Sequence, residues 1–270
     1  MTEQKGLMLK QRILTSVIGI PIVAAAVWFG KPWFTMMIAA VGLLGAYEFY
    51  RMALPRRISF LPVFGTIWIL LLIISPQYRS PLWTQAVLAS AVIVPLVYNL
   101  FHKQKEGAVA GWAWTISGIL YIGWLLSHLV SMRYLENGRD WVFLALFANF
   151  ACDTAAFFTG RAIGKHYMAP GISPKKTWEG AVAGFITAIA VSLILGHLLL
   201  PISYLQSAIA GALIGVFGQL GDMAESLLKR NMGIKDAGHL LPGHGGMLDR
   251  LDSIVFVGAV IYYYLVWAIM

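Results

Sequence analysis

Between Ser226 and Asp252 the chain reads SLLKRNMGIKDAGHLLPGHGGMLDRLD, a run with four basic residues (Lys229, Arg230, Lys235, Arg250), three aspartates (Asp236, Asp249, Asp252) and two histidines. Carboxylate oxygens are hard ligands that suit a divalent cation such as Mg2+, while Lys, Arg and backbone N–H groups suit phosphate. Just upstream, Asp222, Glu225, Ser226 and Lys229 fall at i, i+3, i+4 and i+7, on one face of a helix. A Glu225–Lys229 ion pair on a solvated helix end is the simpler account of that face. Asp249 and Asp252 are again three apart, at the start of an apolar segment. Capping that segment needs one acid, and two on one face are better explained by a cation.

Between these acidic pairs lies Leu241-Pro-Gly-His244-Gly245-Gly246. Glycines and a proline around a histidine break any helix and expose backbone N–H groups, as phosphate-binding loops do, although a plain turn has the same composition. His239 reads as a loop histidine. A second basic stretch, Ser173-Pro-Lys175-Lys176-Thr177-Trp-Glu179-Gly180, opens a later apolar segment. Its lysines, hydroxyls and helix-start amides make an anion site, although membrane topology alone also accounts for the lysines. Two acids, Glu48 and Asp153, sit well inside apolar segments, where a carboxylate is costly unless paired or hydrated. Asp153 is either a buried partner for a base such as Arg161 or Lys165, or part of the polar site.

These groups belong to a chain that is 59% hydrophobic and only 12% charged, with a mean hydropathy of +0.73. Such values lie outside the soluble globular range. A spanning helix needs roughly 20 mostly apolar residues, and nine segments qualify, near 13–30, 33–50, 60–76, 82–101, 112–131, 141–160, 180–200, 203–222 and 253–270. Their continuous apolarity excludes a β-barrel, which alternates with a period of two. The expected fold is an all-α, polytopic integral membrane protein with about nine transmembrane helices. Residues 1–140 read as the lipid-facing scaffold and 141–270 as the region carrying the chemistry, together forming one structural unit.

The first segment has the basic flank and small residues (Ala24–Ala26) of a signal peptide, but its apolar run continues through Trp28 and Phe29, which favours a retained anchor. The single Cys152 allows no internal disulfide. With nine alternating spans, one side receives sixteen of the twenty Lys and Arg, leaving only Lys31, Arg79, Arg133 and Arg139 on the other. The positive-inside rule then puts the N-terminus in the cytoplasm. The net charge of +8 is read as topology plus anionic substrates, with no nucleic acid. Small residues recur at spacing four: Gly107/Gly111, Gly160/Gly164, Gly180/Gly184 and Gly211/Gly215, the last continuing through Gly218 and Gly221. Such ridges let helices approach closely, and the last abuts Asp222. No internal repeat of the transporter kind is evident.

The run from Ser226 to Asp252 resembles the signature of the phosphatidate cytidylyltransferases, or CDP-diacylglycerol synthases. Ser226, Lys229, Arg230, Lys235, Asp236, His244, Gly245, Gly246, Asp249, Arg250 and Asp252 all fall in register with it. The Ser-Pro-Lys-Lys-Thr-Trp-Glu-Gly stretch and the Asp153 segment are similar to bacterial members. The resemblance implies reaction of CTP with phosphatidic acid to give CDP-diacylglycerol and pyrophosphate, requiring Mg2+. It implies metal ligation by Asp222 and Asp249, with a second cation nearby, and from its charge Asp252 is expected to assist. Charge handling during reaction is expected of Lys176, Lys229, Arg230 and Arg250. Substrate binding is expected of Ser173, Lys175, Lys176, Thr177, Lys235, Asp236, His244, Gly245 and Gly246. The same resemblance implies a homodimer, and the positive-inside topology puts the active site on the cytoplasmic face of the bacterial cytoplasmic (inner) membrane.

Two other readings share these features. A CTP-dependent lipid kinase, or a cytidylyltransferase for another lipid phosphate, would need much the same site. A transporter would instead spread ionisable residues toward the membrane midplane on broken helices, whereas here they cluster in loops and helix ends on one side.

Overall fold

The computed structural model describes residues 2–54, 60–78, 80–102, 106–238, 240 and 245–270, with side chains described at Thr15 and from Val17 onward. In chain order the first helices are α1 (Thr2–Phe29), α2 (Trp33–Ala53), α3 (Phe60–Ile74), α4 (Pro81–Phe101) and α5 (Ala108–Gly118). A π-helical turn, Ile119–Trp124, carries α5 into α6 (Leu125–Arg133). Then come α7 (Gly138–Ile163), α8 (Trp178–Leu199), α9 (Tyr204–Asn231), the short α10 (Leu248–Leu251) and α11 (Ile254–Tyr264). Among the described residues the only strands are β1 (Tyr167–Ala169) and β2 (Ser173–Thr177), an antiparallel hairpin between α7 and α8.

Each of the nine expected apolar segments is helical, and among the described residues eight helical stretches are long and apolar enough to cross a membrane. In α1 the apolar stretch among the described residues is the shorter Val17–Phe29. Large apolar side chains such as Phe157, Ile186, Ile194, Leu205 and Trp267 point outward. A soluble protein would bury most of such a surface, while lipid tails accept it. The chain is an all-α, multi-pass membrane protein.

Local signals explain where helices begin. Ser80 precedes Pro81 and caps α4 by accepting the Trp83 N–H. Ser203 and Gln206 form a reciprocal capping box at the start of α9, each side chain accepting the other's backbone N–H. Thr177 caps α8 by accepting the Gly180 N–H.

The chain divides into two compact units, one of residues 1–130 with 236–249, the other of 131–235 with 250–270. In the first, Tyr50 of α2 lies in a slot made by Gly65 and Gly118, and its hydroxyl donates to the Thr115 carbonyl (2.9 Å). Phe49, Leu61, Ile69, Leu72, Ile122 and Leu126 of the same unit are fully buried. In the second unit the spacing-four glycines set the packing. Gly180 meets the Ala156 carbonyl and Gly160, while Gly184 meets Cys152, bringing α7 against α8. Gly211 and Gly215 of α9 meet α8 at Ile189 and Phe185, whereas Gly218 and Gly221 turn toward Val257 and the Asp252–Ser253 backbone.

A Cβ on Gly211 would stand 2.6 Å from the Ile189 Cα and 2.8 Å from the Ala188 carbonyl oxygen, both rigid backbone atoms. Gly211→Val is therefore expected to lose about 1–3 kcal/mol by overpacking, seen as a lowered melting temperature in detergent. Gly171→Ala, where an added methyl meets nothing within 4 Å, should melt like the unaltered protein.

Candidate active site

In the unit of residues 131–235 and 250–270 the polar cluster is built from four elements. On strand β2 Lys175 is exposed, while Lys176, next to the buried Thr177, is half-buried. The Lys176 Nζ lies 2.8 Å from the Asp222 Oδ2 near the end of α9. The ammonium is buried without a well-angled hydrogen bond, so the contact is an ion pair held by proximity. On α7, Asp153 lies within electrostatic range of Asp222, Lys176 and Arg250. Asp252, after α10, is in range of Asp222, Glu225 and Asp153. Like charges this close in a low-dielectric region require counter-charges, which the two bases supply.

Asn149, one helical turn before Asp153, ties the cluster together. Its Nδ2 donates to the Ser253 Oγ (2.8 Å) and to the Asp153 Oδ2 (3.4 Å). Asp252 Oδ1 accepts the Ser253 N–H at 2.7 Å. Gly221 brings the α9 backbone against the Asp252 carbonyl, 2.5 Å from where a Cβ would sit, so the residue beside Asp222 must be small. The Glu225–Lys229 pair forms at i,i+4 with its carboxylate fully buried. It is thus an internal ion pair of the packed helix end, not a solvated one.

The remaining residues of this unit frame the cluster. Thr177 is buried against Gly160 and Gly164, and its hydroxyl serves the α8 N-cap. His166 Nδ1 contacts Glu179 Oε1 at 2.6 Å, closing the base of the hairpin. Arg230 donates to the Ile172 and Ile234 carbonyls (3.2 and 3.3 Å), joining the hairpin turn to the segment after α9. Ser173 is half-buried on β2, and Lys235 and Arg250 are exposed.

The unit of residues 1–130 and 236–249 holds the other half of the signature. Both Asp249 carboxylate oxygens lie 3.3 Å from the Ala237 N–H, and Oδ2 accepts the Gly246 N–H at 2.9 Å. This is the backward i+3 reach of the acid in a capping box. Gly245 takes φ +82°, a left-handed conformation that favours glycine. Asp236 is exposed. His244 and His239 lie outside the described residues. The common helical face expected for Asp249 and Asp252 gives way to a break, because α10 ends at Leu251 and a turn at Asp252–Ser253 precedes α11.

Sequence reading missed one contributor and the partner of another. Asn149 is the polar residue at i−4 from Asp153, and that spacing was its only signal. Glu48 was noticed as an acid in an apolar segment, but its partner lies 200 residues away: its Oε2 accepts the Leu248 N–H at 2.8 Å.

A membrane-embedded helical fold presenting paired acids and bases at helix ends is the architecture of an enzyme that handles a charged group at a lipid surface. The chain belongs to the cytidylyltransferase family, whose model matches residues 10–268. It is 34% identical over 268 residues to a Bacillus subtilis protein named phosphatidate cytidylyltransferase, covering 95% of this chain and 97% of that one. Proteins of the same name from Brucella suis (34% over 259 residues, 94% and 92% covered) and Synechocystis (32% over 286 residues, 95% and 96% covered) are similar along their length.

Replacing Asn149 with Ala removes a buried donor from both Ser253 and Asp153. The expected loss is about 1–3 kcal/mol of stability, measurable as a fall in melting temperature that a surface change such as Lys175→Ala does not cause.

Proposed function

We propose that this protein transfers the cytidylyl group of CTP to phosphatidic acid, giving CDP-diacylglycerol and pyrophosphate. The observation that carries the reading is similarity over nearly the whole chain to proteins named for that reaction, with the signature acids and bases all present. An oxygen of the lipid phosphate bonds to the α-phosphorus of CTP, and the bond from that phosphorus to the bridging oxygen breaks to release pyrophosphate. The lipid phosphate is already anionic, so the demand on the protein is positioning and charge neutralisation, not proton removal.

The residues present suit that demand. Exposed Lys175 faces solvent where a nucleotide arrives, and Lys176, fixed by Asp222, offers a pre-oriented positive charge to a phosphate. Arg250 and Lys235 are exposed bases. Among the described residues no group of three or more His, Cys, Asp or Glu side chains forms a protein-only metal cage. Mg2+ needs no such cage, since one or two carboxylates hold it with waters and substrate phosphates completing the shell. On the family spacing we assign the metal-binding carboxylates to Asp222 and Asp249, with Asp252 in support and a second cation alongside. Bound Mg2+ would neutralise charge on the departing pyrophosphate.

The basic loops are read as cytoplasmic, with the N-terminus on the same side and the protein in the bacterial inner membrane. Contacts within each unit fit that parity. Glu48, at the end of α2, reaches the segment before α10, and Lys176, before α8, reaches the end of α9. All four chain positions belong to the basic side. A homodimer is expected from the family resemblance and is testable by cross-linking in native membranes.

Purified protein given CTP labelled at the α-phosphate, phosphatidic acid and Mg2+ is expected to place the label in lipid and release pyrophosphate. Release of CDP would instead identify a lipid kinase, and no lipid product would refute both. Asp222→Asn and Asp249→Asn are each expected to cut turnover by about 100-fold or more, with chelation of Mg2+ doing the same. Either variant turning over near the unaltered rate would refute its metal assignment.

A further inference from the structure

Glu48 is only 2% exposed, in an apolar helix whose neighbouring Phe49 and Tyr50 are also buried. A carboxylate there is costly and is tolerated only where polar groups meet it. Its Oε2 accepts the Leu248 N–H, while Oε1 is buried with no hydrogen-bond partner among the described residues. The approach is possible because two glycines face it. A Cβ at Gly246 would stand 2.7 Å from Oε2 and 2.9 Å from Oε1. At Gly238 the three nearest atoms to an added Cβ all belong to Glu48. Leu248 directly precedes Asp249, whose own carboxylate binds the Ala237 and Gly246 N–H groups. Two acids from opposite ends of the chain therefore grip one glycine turn.

We propose that Glu48 is a positioning residue for this turn: by holding the Leu248 N–H between Gly238 and Gly246 it sets the direction of the Asp249 carboxylate. The catalytic meaning of that direction rests on the function proposed above, but the grip itself does not. Simple packing would be met by a neutral apolar side chain at position 48, with no need for glycine at 238.

Amide hydrogen exchange on the full-length protein in detergent tests the grip without any assay of turnover. Glu48→Gln keeps an oxygen that accepts the Leu248 N–H, and is expected to leave exchange across residues 245–251 unchanged. Glu48→Ala is expected to speed it by about 10-fold or more, with α7 still protected. Gly238→Ala, which drives a methyl into the carboxylate, should loosen the same segment, and Glu48→Ala/Gly238→Ala should be no looser than Glu48→Ala alone. In parallel, Glu48→Ala should raise the Mg2+ concentration for half-maximal turnover about 10-fold while Glu48→Gln does not. Unchanged exchange in Glu48→Ala, or additive loosening in the double variant, overturns the proposal. If Glu48→Ala does not fold, the other two single variants decide: equal loosening in Glu48→Gln and Gly238→Ala overturns it. A protein without cytidylyl transfer but with the expected exchange pattern would refute the functional reading and leave the grip standing.

Discussion

Charge in a low-dielectric surrounding has to be held, and this requirement organises the buried acids of the protein. Glu48 takes the Leu248 N–H and Asp249 takes the Ala237 and Gly246 N–H groups. Asp222 is paired with Lys176, and Glu225 with Lys229. Asp153 is reached by Asn149, and Asp252 by the Ser253 N–H. Leaving such a group unmatched costs several kcal/mol per ion, so each acid dictates what must lie beside it. The polar cluster and the fold are for this reason not separable designs.

Backbone proximity is the second half of that arrangement. Lipid supplies no hydrophobic drive between helices, so close contact of small residues takes its place. The α9 glycines serve two neighbours in turn, α8 through Gly211 and Gly215, then Val257 and the Asp252–Ser253 turn through Gly218 and Gly221. Asp222 follows immediately on Gly221. The helix-packing motif and the acidic end of α9 are thus one continuous device, in which depth of approach sets where the carboxylate stands.

The helical segments were readable because roughly 20 apolar residues are both necessary and conspicuous for a span. Lys176, Asp222 and Asp249 were readable as candidates because ionisable residues are rare elsewhere in the chain. What escaped was long-range or local in ways that composition does not encode. The Asn149–Ser253 bond joins residues 104 apart, and nothing near either one announces the other. The hairpin at 167–177 is too short and polar to carry a period-two apolar pattern. The helical face drawn through Asp249 and Asp252 presumed a continuous helix, where the chain breaks at Asp252–Ser253 because both groups engage backbone N–H donors locally. Burial of Glu225 was invisible too, since i,i+4 spacing gives a partner but not a depth.

Strand β2 places adjacent lysines on opposite faces, Lys176 against Asp222 and Lys175 toward water. Which ammonium is anchored and which is exposed is a matter of distance from the Thr177 cap, not of sequence identity, since the two side chains are chemically the same. One residue inserted between Ser173 and Lys175, with Thr177 still fixed as the α8 cap, would leave the pair in place and alter only the turn. One inserted between Lys176 and Thr177 would carry Lys176 to the exposed place of Lys175, and Lys175 to that of Pro174, which is exposed as well, so the Asp222 pair would be lost. The spacing from the lysine pair to the threonine cap is therefore under tighter constraint than the composition of the turn before it.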